Sequence, residues 1–252
     1  MQKRKLKKII KQNYAKIAIA RNTCCGAENP CCGDAEIQKL NMRAGYKKSD
    51  LKKVPEKSNM GLGCGNPVAL ASLKKGETVL DLGSGGGLDC FLAAKKVGKK
   101  GKVIGIDMTP EMIKKAEENA KKGKYKNVKF ILGEIEKIPL PDYSIDIVMS
   151  NCVINLSPEK EKVFKEIFRV LKRGGRMIIS DIVLKKKLPE KYKKSINLLV
   201  GCVSNAILMK DYLKLIKKAG FKNIKILEIK KYVVNNDLKD YSLSITVSAI
   251  KI

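Results

Sequence analysis

Histidine and tryptophan are both missing from this 252-residue sequence, and aromatic residues make up only 5% of it. Without an imidazole, the chain has no His-containing metal site and no Ser-His or Cys-His nucleophile pair. Sparse aromatics leave no evident platform for stacking bases. No apolar run approaches the roughly 18 residues that span a bilayer, so no membrane association is expected. The N-terminus, Met-Gln-Lys-Arg-Lys-Leu-Lys-Lys-Ile-Ile, is basic but lacks a signal peptide's apolar stretch and small-residue cleavage site. A cytoplasmic location is therefore expected, where the eight cysteines stay mostly reduced and serve thiol chemistry or metal binding. Acidic residues are also short, 25 against 53 basic ones, for a net charge of +28. The lysines spread along the whole chain, which favours a general lysine preference over a nucleic-acid surface, so no nucleic-acid partner is expected.

What is present is organised around Glu77-Thr-Val-Leu-Asp-Leu-Gly-Ser-Gly-Gly-Gly-Leu-Asp-Cys90. Residues 78–82 read as a buried strand ending in Asp81 and a glycine cluster, and residues 88–97 have helical spacing. Such a turn lets a ligand lie against backbone N–H groups with no Cβ in the way. Gly83, Gly85 and Gly87 recur at every second position, whereas the dinucleotide fingerprint needs a glycine where Leu88 stands.

Further strands read at 102–107, 127–132, 145–150, 176–182, 223–229 and 242–250. Helices read at 4–20, 88–97, 110–122 (Thr109 as N-cap, Pro110 first), 158–171, 190–200 and 210–219. Residues 44–67 read as irregular. Strand–helix alternation implies an α/β fold with a doubly wound, mostly parallel seven-stranded sheet and ligand sites at the strands' carboxyl ends. Those ends carry Asp81 with Gly83 and Ser84, then Asp107 and Met108, then Gly133, Glu134 and Ile135, then Asn151 and Cys152. Asp107 is the natural partner of ribose hydroxyls and Met108 a surface for an adenine ring. Glu134, or the backbone at Ile135, meets the adenine edge.

Cys64, Cys152 and Cys202 lie in separate segments among small or turn-forming residues, while Cys90 reads as a buried structural thiol. Cys24-Cys25 and Cys31-Cys32 sit in a glycine- and proline-marked loop. Adjacent pairs depart from the C-x-x-C spacing of common zinc sites, which leaves a soft thiophilic ion or a redox-sensitive loop.

The D-x-G-x-G-x-G spacing resembles the S-adenosylmethionine site of Rossmann-like methyltransferases. Nearly the whole chain resembles one family of them, the arsenite methyltransferases. The resemblance runs from Tyr14-Ala-Lys-Ile-Ala and the Cys-Cys-Gly loop through Val54-Pro-Glu-Lys-Ser-Asn-Met-Gly-Leu-Gly-Cys-Gly-Asn-Pro67 to the glycine motif. It continues through Gly105-Ile-Asp-Met-Thr-Pro-Glu-Met112, Ser150-Asn-Cys-Val-Ile-Asn-Leu156 and Gly201-Cys202. It implies that Cys64, Cys152 and Cys202 bind As(III), with Cys24, Cys25, Cys31 and Cys32 as further candidates. It also implies S-adenosylmethionine as methyl donor, arsenite or its thiol conjugates as substrate, a glutathione- or thioredoxin-like reductant, and a role in metalloid detoxification. Val-Ser-Asn-Ala follows Cys202 where smaller residues are expected. Residues 1–67 then form an N-terminal helix and cysteine-rich loops over the active site, 68–183 the cofactor-binding core, and 184–252 a lid carrying Cys202 with the last strands. The competing readings are a cytosine-C5 nucleic-acid or quinone-type methyltransferase and a thiol-rich metalloid sensor. No Pro precedes Cys152, a quinone-type enzyme gives no reason for Cys64 and Cys202, and a fully formed cofactor motif argues against a sensor.

Overall fold

The computed structural model describes residues 3–19, 34–193, 195–233, 238 and 240–252. The pairs Cys24-Cys25 and Cys31-Cys32 lie outside the described residues. An amphipathic α1 (Lys3–Ile19) buries Leu6, Ile10 and Ile17 and packs on elements far along the chain. Then come α2 (Asp34–Ala44), α3 (Lys48–Leu51), a 3-10 turn at Glu56–Ser58, and α4 (Pro67–Leu70). The alternating region follows as β1 (Thr78–Leu82), α5 (Leu88–Val97), β2 (Lys102–Asp107), α6 (Pro110–Lys122), β3 (Val128–Leu132), β4 (Ile145–Asn151), α7 (Lys160–Val170) and β5 (Leu171–Leu184). Three helices, α8 (Glu190–Lys193), α9 (Ile196–Val200) and α10 (Met209–Lys218), precede β6 (Lys222–Lys231) and β7 (Ser242–Ile250).

The strands form one sheet in the order β3-β2-β1-β4-β5-β7-β6. The first five run parallel, and β7 is antiparallel to both β5 and β6. From β1 the chain winds outward to β3, then crosses back to β4 on the other side of β1. The crevice beyond β1 and β4 is thus the topological switch point, where open α/β sheets take ligands. Alternation along β1 sends Leu80 and Leu82 into one apolar layer, with Ile106, Phe164 and Tyr212, and Val79 into the other, with Phe91, Val103 and Met149. Among the described residues no helix is long and apolar enough to cross a membrane.

Several expectations need correcting. β5 starts at Leu171, five residues before the expected 176, because an irregularity at Gly174-Gly175 lets Leu171 pair with Ile145 before the ladder resumes at Arg176. The stretch 190–200 forms two short helices, since the Ser195 hydroxyl accepts from Leu198 N at 3.3 Å and starts α9 afresh. Thr109 stands at the N-cap of α6 but makes no side-chain cap; Asp107 Oδ1 accepts from Thr109 N at 2.9 Å instead. The irregular 44–67 contains α3 and the 3-10 turn. The unanticipated α2 is anchored through Asn41, whose amide donates to Asn59 Oδ1 at 2.6 Å, a contact no local pattern announces.

Candidate active site

At the end of β1 the chain reverses through Gly83 to Gly87 and enters α5. Gly83 has φ +71°, and a Cβ added there would lie 2.8 Å from Val153 Cβ and closer still to its methyls. At Gly85, φ +50°, an added Cβ would face the open cleft, with only Met112 Sδ at 4.0 Å. The N–H groups, however, do not face a ligand as expected. Gly83 and Ser84 donate to the Ile106 carbonyl at 2.7 and 3.0 Å, Gly85 to Asp107 Oδ2 at 3.0 Å, and Gly87 to the Ser84 carbonyl at 2.9 Å. Buried N–H groups need partners, and the end of β2 supplies them for Gly83, Ser84 and Gly85, the turn's own Ser84 carbonyl for Gly87. The glycines therefore provide curvature and room, a use that suits a ligand without phosphate. The Ser84 hydroxyl is buried in the turn with no partner among the described residues.

The cleft beyond this turn encloses about 1060 Å³, its mouth included, and is lined in part by Asp81, Ser84, Asp89, Asp107, Met108 and Asn151. Asp81 and Asp89 are almost wholly buried, at 2% and 7% exposure. Burial pushes the Asp81 carboxyl well above the usual range, the neighbouring Asp89 adding to it, while the Cys90 thiol donates to its Oδ2 at 3.2 Å. Burial also raises Asp89, against hydrogen bonds from the Tyr46 hydroxyl at 2.6 Å and the Asn151 amide at 3.1 Å. Asp107 is raised by burial too, opposed by the N–H groups of Thr109 and Gly85. Among the described residues no lysine or arginine forms an ion pair with any of the three. Buried carboxyls without a cation suit a cationic ligand.

Gly133 and Ile135 line the cleft as expected. Glu134 stands apart from the lining, its half-exposed carboxylate ion-paired with Lys7 of α1 at 2.7 Å; Lys7 also meets Glu136 at 3.0 Å. Of the two adenine-edge candidates, only Ile135 borders the cavity.

Cys64, Cys152 and Cys202 join one apolar cluster with Leu156, Tyr14 and Met108. Cys64 and Cys152 are disulfide-bonded, with Cα atoms 5.9 Å apart, while Cys202 and the buried Cys90 are free. This corrects the expectation of reduced thiols at that pair: two segments 88 residues apart meet within bonding reach. In this oxidised form no group of three or more Cys, Asp or Glu side chains stands in metal-binding arrangement among the described residues. Cys202 Sγ donates to the Cys152 carbonyl at 3.1 Å. Cys152 and Cys202 have φ +59° and +61°. Non-glycine residues in that region are uncommon and cluster at functional sites.

Polar side chains hold the three segments together. Asn151 accepts from Cys64 N at 3.0 Å and Gly65 N at 3.2 Å, and its amide nitrogen is 2.8 Å from the Gly65 carbonyl. Asn155 donates to the Cys202 carbonyl, and Asn205 donates to the carbonyls of Asn155 and Ser157 at 2.8 and 3.1 Å. The larger residues after Cys202 thus include Asn205, which ties the Cys202 segment to the loop at Asn155 and Ser157. Lys160, 7% exposed, donates to the carbonyls of Ser157 and Asn205, both at 2.9 Å. Burial lowers Lys160 to about 8, against the charges of Asp181, Cys202 and Glu136, and raises Asp181 to about 7. Sequence reasoning missed Tyr46, Asp89, Asn155 and Lys160. Asp89 alone had a signal, as a charge in the otherwise apolar first turns of α5.

Comparison with known proteins agrees with this geometry. The family described as "Methyltransferase domain" matches residues 73–220. An arsenite methyltransferase of Halobacterium salinarum is 42% identical over 97% of this chain and 66% of its own length. The crystal structure of an arsenic(III) S-adenosylmethionine methyltransferase from Chlamydomonas reinhardtii superposes with a TM-score of 0.69 at 36% identity, over 84% of this chain and 73% of that one. A demethylmenaquinone methyltransferase of Lactococcus lactis is 32% identical over 77% of this chain and 75% of its length. The chain spans 40% to 66% of the length of the curated arsenite methyltransferases it matches.

Proposed function

We propose, for a chain that belongs to the arsenite methyltransferase family of S-adenosylmethionine-dependent enzymes, that its cleft moves a methyl group from S-adenosylmethionine to trivalent arsenic held by cysteine thiolates. One observation carries the reading: Cys64, Cys152 and Cys202, from three separate segments, sit in a single buried cluster beside the acid-lined cleft. A quinone methyltransferase has no use for such a set. In this division of labour residues 68–183 bind the cofactor, 1–67 cover the cleft, and 184–252 bring Cys202 and complete the sheet.

The cleft's donor set fits the cofactor. Asp107 would hold the ribose, Met108 and Ile135 would flank the base, and the Ser84 hydroxyl would offer a further hydrogen bond. Asp81 and Asp89, with no ion-pair partner among the described residues, would hold the cationic end. S-adenosylmethionine supplies an electrophilic methyl when bound there. Trivalent arsenic keeps an electron pair that would form the new As–C bond as the methyl–sulfur bond breaks and its electrons stay on a neutral thioether, so no proton has to leave the nucleophile and a site without histidine suffices. The protein's contribution is orientation, with soft thiolates fixing arsenic in line with the methyl. The Cys64–Cys152 disulfide must first open, two thiol equivalents of reductant giving two cysteine thiols and an oxidised reductant.

The test is to incubate purified protein with S-adenosylmethionine and arsenite, with and without excess thiol, and to separate arsenic species by chromatography. Methylated arsenic is expected only with thiol. Its absence in protein that binds the cofactor would overturn the arsenic reading.

A pH dependence follows from the buried acids. Acidification protonates Asp81 and Asp89 and removes the charge that attracts the cation. Cofactor affinity is therefore expected to weaken as pH falls, beginning above the ordinary carboxylate range because burial raises both groups. Because a bound cation lowers both carboxyl pKa values, binding near the midpoint should release protons. Calorimetry in buffers of different ionisation enthalpy reads this directly; heats independent of buffer would contradict it.

A further inference from the structure

The Cys64 loop is gripped through its peptide groups from two sides, and neither grip uses the sulfur. On one side Asn151 Oδ1 accepts from Cys64 N and Gly65 N at 3.0 and 3.2 Å, and its amide nitrogen donates to the Gly65 carbonyl at 2.8 Å. On the other, the Ser244 hydroxyl of β7 donates to the Cys64 carbonyl at 2.8 Å. Glycine on each flank of Cys64 permits the close approach. A Cβ at Gly63 would lie 2.6 Å from the Asn151 amide nitrogen, and one at Gly65 would lie 2.6 Å from Cβ and Oγ of Ser180. Ser180 also fastens Cys152, whose N–H donates to its carbonyl at 2.8 Å. Both cysteine segments thus rest on one residue of β5. The Asn151 amide nitrogen is also 2.9 Å from the Tyr46 hydroxyl and 3.1 Å from Asp89 Oδ2. Turning the amide over would set its oxygen against the Gly65 carbonyl and the Asp89 carboxyl, so its orientation is fixed.

We infer that Asn151, with Ser244 opposite it, is a positioning residue for the thiol pair: it keeps Cys64 in register with Cys152 whether or not their sulfurs are joined, and so sets how strongly the pair favours the disulfide. What that register does for arsenic rests on the proposed function. The disulfide equilibrium does not.

The direction of the effect follows from which state needs the clamp. In the disulfide, the S–S bond itself holds two segments 88 residues apart. In the dithiol, only the hydrogen bonds to their peptide groups do so. Exchange with glutathione converts the protein disulfide and two glutathione thiols into two cysteine thiols and one glutathione disulfide. Thiols already held within bonding reach lose little freedom when they join, which favours the protein disulfide in that exchange. Without Asn151 the reduced loop gains freedom that the oxidised loop, still tied by its bond, does not. Ordering one backbone residue corresponds to a factor of about ten in an equilibrium constant, and Asn151 holds the N–H groups of two residues.

The experiment equilibrates the full-length protein and its Asn151→Ala, Ser244→Ala and Asn127→Ala variants with mixtures of reduced and oxidised glutathione at neutral pH. After acid quenching and alkylation, mass spectrometry quantifies the linked and free Cys64 and Cys152 peptides. For Asn151→Ala the constant favouring the disulfide is expected to fall about tenfold, a potential less negative by about 30 mV. Ser244→Ala is expected to shift it the same way by about threefold. Asn127 donates to the Ala94 and Gly98 carbonyls at 3.2 and 3.0 Å, at the end of α5 remote from the glycine turn. Asn127→Ala should lower the melting temperature and leave the exchange constant unchanged, and a purely structural Asn151 would behave alike. An unchanged or larger constant in Asn151→Ala overturns the inference. Should that variant fail to fold, an unchanged constant in Ser244→Ala overturns it. Wild-type protein that exchanges with glutathione but fails to methylate arsenite overturns only the functional reading, since the exchange involves no arsenic.

Discussion

A Cys152→Ser variant is expected to lose arsenite methylation by about three orders of magnitude, close to 4 kcal/mol of transition-state stabilisation, while binding S-adenosylmethionine as the wild type does. The reason is positional. Cys152 leaves β4 beside Asn151, its N–H donates to the Ser180 carbonyl at 2.8 Å, and its left-handed backbone turns the sulfur toward Cys64. Serine tolerates the same backbone and fills nearly the same space, so the glycine turn and the carboxyl cluster stay where they are. What disappears is the soft ligand: a hydroxyl stays protonated at neutral pH and binds arsenic weakly. Cys202→Ser is expected to behave alike, because the Asn155 and Asn205 clamps act on its backbone and on the neighbouring loop, not on the sulfur. Activity assays paired with calorimetry decide the matter. Methylation within tenfold of wild type, or lost cofactor affinity in both variants, would contradict the assigned roles.

Gly83→Ala is expected to lose cofactor binding at least hundredfold and to cost about 3 kcal/mol of stability. A left-handed non-glycine residue costs about 1–2 kcal/mol, and the added methyl overlaps the Val153 side chain, an overpacking penalty of about 1–3 kcal/mol. Relief requires Val153 to move, and Val153 follows Cys152 directly, so cofactor turn and thiol loop are displaced together. Melting temperature should drop by roughly 6–12 °C. Gly174→Ala is the control. Its φ is +75°, but an added Cβ meets nothing within 4 Å. It should show only the backbone penalty, with cofactor affinity intact. Equal losses in the two variants would mean that the Val153 overlap is relieved without consequence.

The sequence and the structure divide the molecule unevenly. The succession of strands and helices and the strand ends that border the cleft were legible because they depend on local patterns. A β-branched run ending in Asp81 and alternate glycines, or one ending in Asp107, reveals itself within a few residues. The three cysteine segments were legible as a set, through flanking motifs. The Tyr46–Asp89–Asn151 knot was not. Tyr46 and Asp89 are 43 positions apart, and Asn151 lies 62 from Asp89 and 105 from Tyr46. Glu134 shows the opposite failing. It stood at the right strand end, but Lys7, from a helix 127 residues away, draws it out of the cleft.

By itself, then, the sequence determined the chemistry available to this protein. Without histidine the acid–base options are narrow, and with eight cysteines and a glycine-rich strand end the site is built for soft ligation beside a cationic cofactor. The tertiary structure alone decided which thiols meet, that Cys64 and Cys152 can bond to each other, and that the N–H groups of Gly83, Ser84 and Gly85 serve the end of β2 instead of a ligand. It also decided that a tyrosine of the first helix stands at the last cysteine of the set. The physical reason is common to all four. Burial and proximity are set by how distant segments pack, and no pattern of neighbouring residues encodes a distance between positions dozens apart.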